Sequence, residues 1–232
     1  MIYVDKAISI DEIDEEYSLM YDEKKFNYKD ALFFDLEHYV YRRPIAIGVF
    51  GCAYYEEDSN SIRLTQLMIE KAEEADDILI DALKYFKNAK EKLKKKYIVT
   101  FSGDNDFFMF NTLIKDKGIN YRLENQYKSI DIQKEFQKKT NEGIGLKSLE
   151  ILFHINRECE SISGVQIAKS FGKYFKENGH YKMSKKKANK ILRYNEEDVV
   201  NLFYIAMKWE KYIDDINVEN IIEAREKCKS QS

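Results

Sequence analysis

Three short acidic segments, far apart in the chain, each stand in or beside an apolar run. The candidate site residues are Asp35 and Glu37 in the first segment, Asp106 in the second, and Tyr194 and Asp198 in the third. An unpaired charge beside a buried segment is costly, and converging carboxylates repel one another unless cations hold them. Carboxylate oxygens suit hard divalent cations such as Mg²⁺ or Mn²⁺. We therefore expect the fold to gather the three segments around one metal site.

The pattern of the intervening residues predicts an α/β fold. Apolar runs at 31–36, 45–55 and 61–68, joined by short polar turns, favour an antiparallel three-strand meander. The later predicted elements are a helix over 73–95, a strand over 97–101, a helix over 106–117, a strand over 127–131, helices over 146–153 and 164–177, and a helix capped by Ser184 that runs to about 209. Together they predict a mixed sheet, the meander plus parallel strands, flanked by helices.

The length and composition favour one folded domain. A chain of 232 residues with 44% apolar and 14% aromatic content can bury a substantial core, and this content excludes a disordered chain. The patterned core spans about 31–207, after an acidic N-terminal extension (1–29) and before a polar C-terminal tail (210–232).

The charge balance limits how the chain can bind nucleic acid. Lys and Arg number 38 against 41 Asp and Glu, and the net charge is −3. Such a chain has no overall attraction to a polyanion, so binding has to come from local basic patches or from metal.

The cysteines and histidines show no metal-ligand spacing, so they are interpreted as incidental or buried. They are Cys52, Cys159, Cys228, His38, His154 and His180. Without a CxxC pair, a zinc ribbon is not expected, and neither is a disulfide framework. The N-terminal region lacks the basic start and apolar middle of a signal peptide, and no run reaches membrane-spanning length. These features favour a reducing, cytoplasmic location without a membrane partner.

Each acidic segment has two local interpretations. Asp35 and Glu37 are two residues apart, so on a strand both leave the same face and could hold metal, or they could mark a solvated strand end. Asp106 is either a ligand or a helix N-cap, and Asp104 competes for both roles. Tyr194 lies four residues before Asp198, so the two share one face of a helix, and the phenol there could orient or deprotonate an attacking water. The alternative there is a buried tyrosine beside an exposed acid.

Taken in order, the segments resemble the DEDD exonucleases of the ribonuclease-H-like superfamily, in the subgroup with a tyrosine in the third motif, and YprB-type domains most closely. The likeness covers roughly 31–207. Asp35-Leu36-Glu37 matches the first motif and Tyr194-Asn195-Glu196-Glu197-Asp198-Val199 the third, with Ile130-Asp131-Ile132 and Gly145-Leu146-Lys147-Ser148-Leu149-Glu150 matching between them. The second motif departs from the family, with Ser102 at the usual Asn and Asn105 at the usual Phe, so either Asp104 or Asp106 could be its ligand.

The resemblance implies a metal-dependent 3′→5′ exonuclease acting on a single-stranded 3′ end of DNA or RNA. By this resemblance, Asp35, Glu37, Asp106 and Asp198 would bind two Mg²⁺ or Mn²⁺ ions. Tyr194 would position the attacking water, and Asp131 would be a supporting residue at the rim of the site. Phosphodiester hydrolysis by two metals fits this ligand set. The alternatives are a catalytically inactive nucleic-acid-binding module and an endonuclease of the same fold.

Two further sets of residues could contact nucleic acid. Lys187, Lys190 and Arg193 are candidate phosphate contacts or a solvated helix face. The strand aromatics could stack bases or simply pack, and they are Tyr39, Tyr41, Tyr54 and Tyr55.

Overall fold

The structure is a computed structural model and describes residues 1–10, 13–158, 162–176 and 181–230. Cys159, His180 and the predicted helix end at 177 lie outside these residues. The strands are β1 (Ile2–Ser9), β2 (Met20–Tyr21), β3 (Lys24–Lys25), β4 (Ala31–Tyr41), β5 (Arg43–Glu56), β6 (Ser61–Met68), β7 (Tyr97–Thr100) and β8 (Lys128–Asp131). The helices are α1 (Ala75–Glu91), α2 (Asp104–Asp116), α3 (Ile132–Thr140), α4 (Leu146–Leu152), α5 (Gly164–Lys176), α6 (Lys185–Met207), α7 (Trp209–Tyr212) and α8 (Val218–Ser230). None of the helices in the described ranges has both the length and the apolar character that crossing a bilayer requires.

Six strands form one mixed sheet in the order β1-β6-β5-β4-β7-β8. The first four are antiparallel neighbours, whereas β4, β7 and β8 run parallel. The predicted α/β fold, with a meander continued by parallel strands, is therefore confirmed. Because β4 and β7 are parallel, their carboxyl ends and the segments that follow them meet at one edge of the sheet.

Alternating side chains of β4 serve two separate cores on opposite faces of the sheet. Phe34 packs edge-on against Phe86 of α1, with ring centroids 5.2 Å apart. Phe33 packs edge-on against Phe203 of α6 at 5.4 Å. Side chains of a strand alternate between its two faces, so Asp35 lies on the same face as Phe33, which is the face that α6 covers.

Both ends of the chain are more ordered than the sequence pattern predicts. β1 pairs with β6 along its whole length, from Ile2 opposite Met68 to Ser9 opposite Ser61. At the other end, Ile221 is buried on α8 and packs in the same core as α4 and α6. Both segments form regular structure because they pack against parts of the chain that lie far away in the sequence, although their own hydrophobic periodicity is weak.

Candidate metal centre

β4 and α6 bring three carboxylates together. Asp35 and Glu37 leave the same face of β4, and Asp198 faces them from α6. One oxygen from each of the three lies within 4.8 Å of the other two. The pairing of β4 with β5 shifts register immediately after Glu37, and such irregularities commonly redirect a strand beside a functional site. The first and third acidic segments thus meet as predicted.

Asp106 flanks this group, whereas Asp104 does not. The two residues are two apart at the start of α2, so they point about 200° apart around the helix. The Asp106 side chain is only 9% exposed and its charge interacts with Asp35, while the Asp104 side chain is 74% exposed. Asp104 forms an ion pair with Lys134 at 2.7 Å. The structure therefore brings Asp106 to the cluster and leaves Asp104 at the surface.

The turn before α2 explains how Asp106 is positioned. Ser102 has a left-handed backbone with φ of +56°, a conformation that Asn and Gly adopt more readily than Ser. A side chain at Gly103 would meet Thr100 Oγ1 at 2.3 Å. Asp131 accepts hydrogen bonds from the backbone N–H groups of Ser102 (3.0 Å) and Gly103 (3.2 Å). Asp131 thus holds the turn from which α2 begins and so fixes the position of Asp106.

Burial raises the pKa of every carboxyl in the cluster, and repulsion between them adds to the rise for Asp35, Glu37 and Asp106. Burial, followed by the charge of Asp198, raises the pKa of Asp35 to about 7. The pKa values of Glu37 and Asp106 lie well above their usual range, first through burial and then through Asp35. Burial also raises the pKa of Asp198, although Arg157 opposes the shift. Four acids that cannot all ionise comfortably without added positive charge form a site that cations stabilise.

Arg157, in the loop after α4, is a part of this site that no sequence motif identified. Its guanidinium forms a hydrogen-bonded ion pair with Asp198 and a bidentate one with Glu150, whose Oε1 accepts from Nη2 at 2.7 Å. Glu150 is buried and also accepts from Asn201 Nδ2 at 2.9 Å. Arg157 Nη1 is buried as well and has no hydrogen-bond partner within the described ranges. Arg157 therefore supplies positive charge beside Asp198, but two buried carboxylates share it.

Asn195, inside the third motif, orients Asp35. Its Nδ2 donates to Asp35 Oδ2 at 2.9 Å, and its Oδ1 accepts from Gln66 Nε2 at 2.8 Å. Gly51 lies between Asp35 and Gln66 in the strand register, and a side chain there would come within 2.1 Å of Asn195 Oδ1. The absence of a side chain at Gly51 therefore lets the amide cross β5 and hold the carboxylate of β4.

Tyr194 lies beside the carboxylates with two cations against its ring. Lys147 Nζ is 5.0 Å and Arg157 Cζ 5.4 Å from the ring centroid. Burial, then the charges of Asp198 and Glu37, raise the pKa of the phenol above its usual value. At neutral pH the hydroxyl therefore keeps its proton, which suits a group that orients water and not one that deprotonates it.

The residues predicted to contact nucleic acid do not all lie on one surface. Lys187 and Lys190 line a groove between α5 and α6, whereas Arg193 is mainly exposed and pairs with Glu158 at 3.3 Å. Among the strand aromatics, Tyr39 and Tyr55 are buried and stacked, on Phe175 and Phe203 respectively. Tyr54 is half-buried, and Tyr41 is exposed at the tip of the β4–β5 hairpin. Packing therefore accounts for Tyr39 and Tyr55.

The donor set fits a hard divalent cation. Within the described part of the chain, the three side chains grouped closely enough to share an ion are carboxylates, and the flanking Asp106 has His38 Nδ1 3.8 Å from its Oδ1. Oxygen-only ligands select Mg²⁺, Mn²⁺ or Ca²⁺ over Zn²⁺.

Comparison with known proteins adds one finding. A family model described as the RNase H superfamily matches residues 32–210 of the chain. The match begins in β4 and ends just after α6, so it includes all three acidic segments. No curated protein matches the chain significantly.

Proposed function

The chain belongs to the RNase H superfamily, and from this premise we propose that it is a metal-dependent 3′→5′ exonuclease of the DEDD type, in the tyrosine subgroup. Membership and the clustered acids together indicate nuclease chemistry. The substrate we propose is a single-stranded 3′ end, and the catalytic unit is one domain formed by the whole chain.

The observation that carries this proposal is the meeting of carboxylates from three distant segments, with Asp35 half-buried and the other three buried. Asp35, Glu37 and Asp198 approach within 4.8 Å, and Asp106 is close enough for its pKa to respond to two of them. Bringing four acids together with Arg157 as the cation paired to Asp198 costs stability, and carboxyls perturbed in this way concentrate at functional sites.

In this proposal Asp35, Glu37, Asp106 and Asp198 would hold two Mg²⁺ or Mn²⁺ ions. When bound, such ions would activate the attacking water and stabilise the leaving 3′ oxygen. Asn195 keeps the Asp35 oxygen directed into the cluster. Asp131 supports the turn before Asp106. Tyr194 would donate a hydrogen bond from its hydroxyl to water beside the scissile phosphate and so orient that water.

The polarity of cleavage is the direct test of the proposed activity. Single strands of DNA and RNA, labelled at the 5′ end, are incubated with the protein in Mg²⁺, Mn²⁺ or EDTA, and the products are resolved by length. We expect ladders that shorten from the 3′ end in either metal and intact substrate in EDTA. A preparation of a variant that lacks a cluster carboxylate controls for contaminating nuclease. Internal cuts would indicate an endonuclease, and binding without cleavage in any metal would indicate an inactive module.

Replacing Tyr194 with Phe is expected to lower kcat by roughly tenfold to a hundredfold, because one oriented hydrogen bond to water is removed from the transition state. Mn²⁺ affinity, measured by titration calorimetry, should remain within about twofold of the original, since the four carboxylates are intact. Tyr3→Phe is the matched control, because Tyr3 is exposed on β1. An unchanged kcat in Tyr194→Phe would remove the phenol from the mechanism.

A further inference from the structure

A basic groove separates α5 from the first turns of α6. It has a volume of about 540 Å³, and no acidic residue lines it within the described ranges. Five lysines line it, and they are Lys169, Lys173, Lys186, Lys187 and Lys190. The chain as a whole is acidic, with a net charge of −3, so this concentration of one sign differs from the rest of the surface. A concave surface of a single charge attracts and concentrates ligands of the opposite sign.

Contacts through Ile162 and Lys147 connect the wall of the groove to the carboxylate cluster. Ile162 lines the groove, and the Ile162 carbonyl accepts a hydrogen bond from Lys147 Nζ at 3.5 Å. The same ammonium lies 5.0 Å from the centre of the Tyr194 ring. Lys187 and Tyr194 are seven residues apart on α6, so two helical turns, about 10 Å, separate them along the axis. A nucleic acid strand covers this distance in about three nucleotides.

We propose that this groove binds the phosphodiester backbone of the single-stranded substrate a few nucleotides upstream of the 3′ end held at the carboxylates. The inference rests on the proposed function and extends it by naming a second substrate-binding surface on α5. Ammonium groups bind phosphates as point charges and make no demand on the base, so the groove adds affinity and length dependence without sequence preference. It also supplies the local basic patch that a chain of this net charge needs.

The test removes one lysine from each wall of the groove, in the double variant Lys169→Ala, Lys187→Ala. Binding of a fluorescein-labelled oligothymidylate of about twelve nucleotides is measured by anisotropy in EDTA, which prevents cleavage, at several salt concentrations. A matching RNA strand and a blunt DNA duplex serve as further probes. The control variant Lys92→Ala, Lys229→Ala removes two exposed lysines outside the groove.

The groove variant is expected to raise the Kd for the single strands about tenfold. It should also reduce the slope of log Kd against log salt by about 1.4, because each phosphate that a lysine no longer neutralises lowers this slope by about 0.7. The control variant should leave both quantities unchanged. A groove variant with the original Kd and salt slope would overturn the proposal, as would weaker binding confined to the duplex.

Because this assay needs no turnover, it separates the two proposals. If the protein cleaves nothing in Mg²⁺ or Mn²⁺ but the groove variant binds the strands more weakly, the exonuclease proposal fails, while the groove remains a binding surface for the phosphodiester backbone. If the protein shortens strands from the 3′ end and the groove variant binds like the original, the groove proposal alone fails.

Discussion

Replacing Asp106 with Asn is expected to reduce metal-dependent cleavage by about 10³-fold or more, whereas Asp104→Asn should leave the rate within about twofold. The two acids are two residues apart in the same helix, yet only Asp106 is buried beside the other carboxylates. An amide keeps the size of the side chain but removes the charge that would hold a cation. Loss of Asp104 removes an exposed ion pair with Lys134, whose contribution to stability is small.

Initial rates of shortening of a labelled single strand in Mn²⁺ provide the measurement. Circular dichroism and thermal unfolding of both variants show whether each is folded. We expect Asp106→Asn to be folded and, without metal, at least as stable as the original protein, because one repelling charge is gone. The assignment of the second-motif ligand would be wrong if Asp104→Asn were inactive and Asp106→Asn active.

The sequence identifies this pair but cannot choose within it. Asp106 stands at the start of the helix predicted over 106–117 and Asp104 just before it, and both fit the roles of N-cap and of ligand. The choice depends on the residue at which the helix starts, because a start at Asp104 turns Asp106 inwards. Helix boundaries are the least certain part of a pattern-based prediction. The turn that sets this boundary is held by Asp131, which lies on another strand.

The other residues of the metal centre also differ in whether local sequence spacing predicts their position or only contacts between distant segments determine it. The spacing of Asp35 and Glu37 on a strand predicts their common face, and the four-residue spacing of Tyr194 and Asp198 does so on a helix. Arg157 carries no such signal, because it lies in a loop and its partners Glu150 and Asp198 are 7 and 41 residues away. Only the folded chain brings it to the carboxylates.

The fold is predictable where hydrophobic periodicity is strong. The three-strand meander, helix α1 and the long helix α6 are predicted directly by alternating or helical patterns of apolar residues. Strand lengths are less predictable: the apolar run predicts that β4 ends at Leu36, but the strand continues to Tyr41, because β5 pairs with it through a hairpin whose tip is exposed. The residues at the N-terminus indicate only a short strand at 2–4, whereas β1 runs to Ser9 because it pairs with β6 along its whole length.

In EDTA, the folded protein is expected to lose stability as the pH rises from about 6.5 to 8, and saturating Mg²⁺ or Mn²⁺ should cancel the loss. An acid whose pKa is raised by folding keeps its proton in the folded state at a pH where the unfolded chain has released it. The folded state then binds more protons, so the free energy of unfolding falls with increasing pH. The pKa of Asp35 is raised to about 7, and those of Glu37 and Asp106 are raised well above their usual values.

A proton that the folded state retains across the whole interval costs roughly 2 kcal/mol of stability. Asp35, whose pKa is about 7, releases its proton within the interval and contributes only part of this cost. The interval avoids two groups that act in the opposite direction. Burial lowers the pKa of His38, which opposes the trend below about 6.5. Burial lowers the pKa of Lys95 to about 8, which opposes it above that pH.

Cations cancel the loss of stability because they bind the ionised carboxylates and compete with protons for them. Denaturant unfolding in EDTA and in saturating Mn²⁺, at both pH values, measures the effect, and the gain from metal should be larger at the higher pH. Asp106→Asn should show a shallower pH dependence in EDTA, whereas Asp104→Asn should keep the original one. A metal-free stability that stayed constant or rose over this interval would mean that the four acids do not share one buried site, and the metal centre would then lose its physical basis.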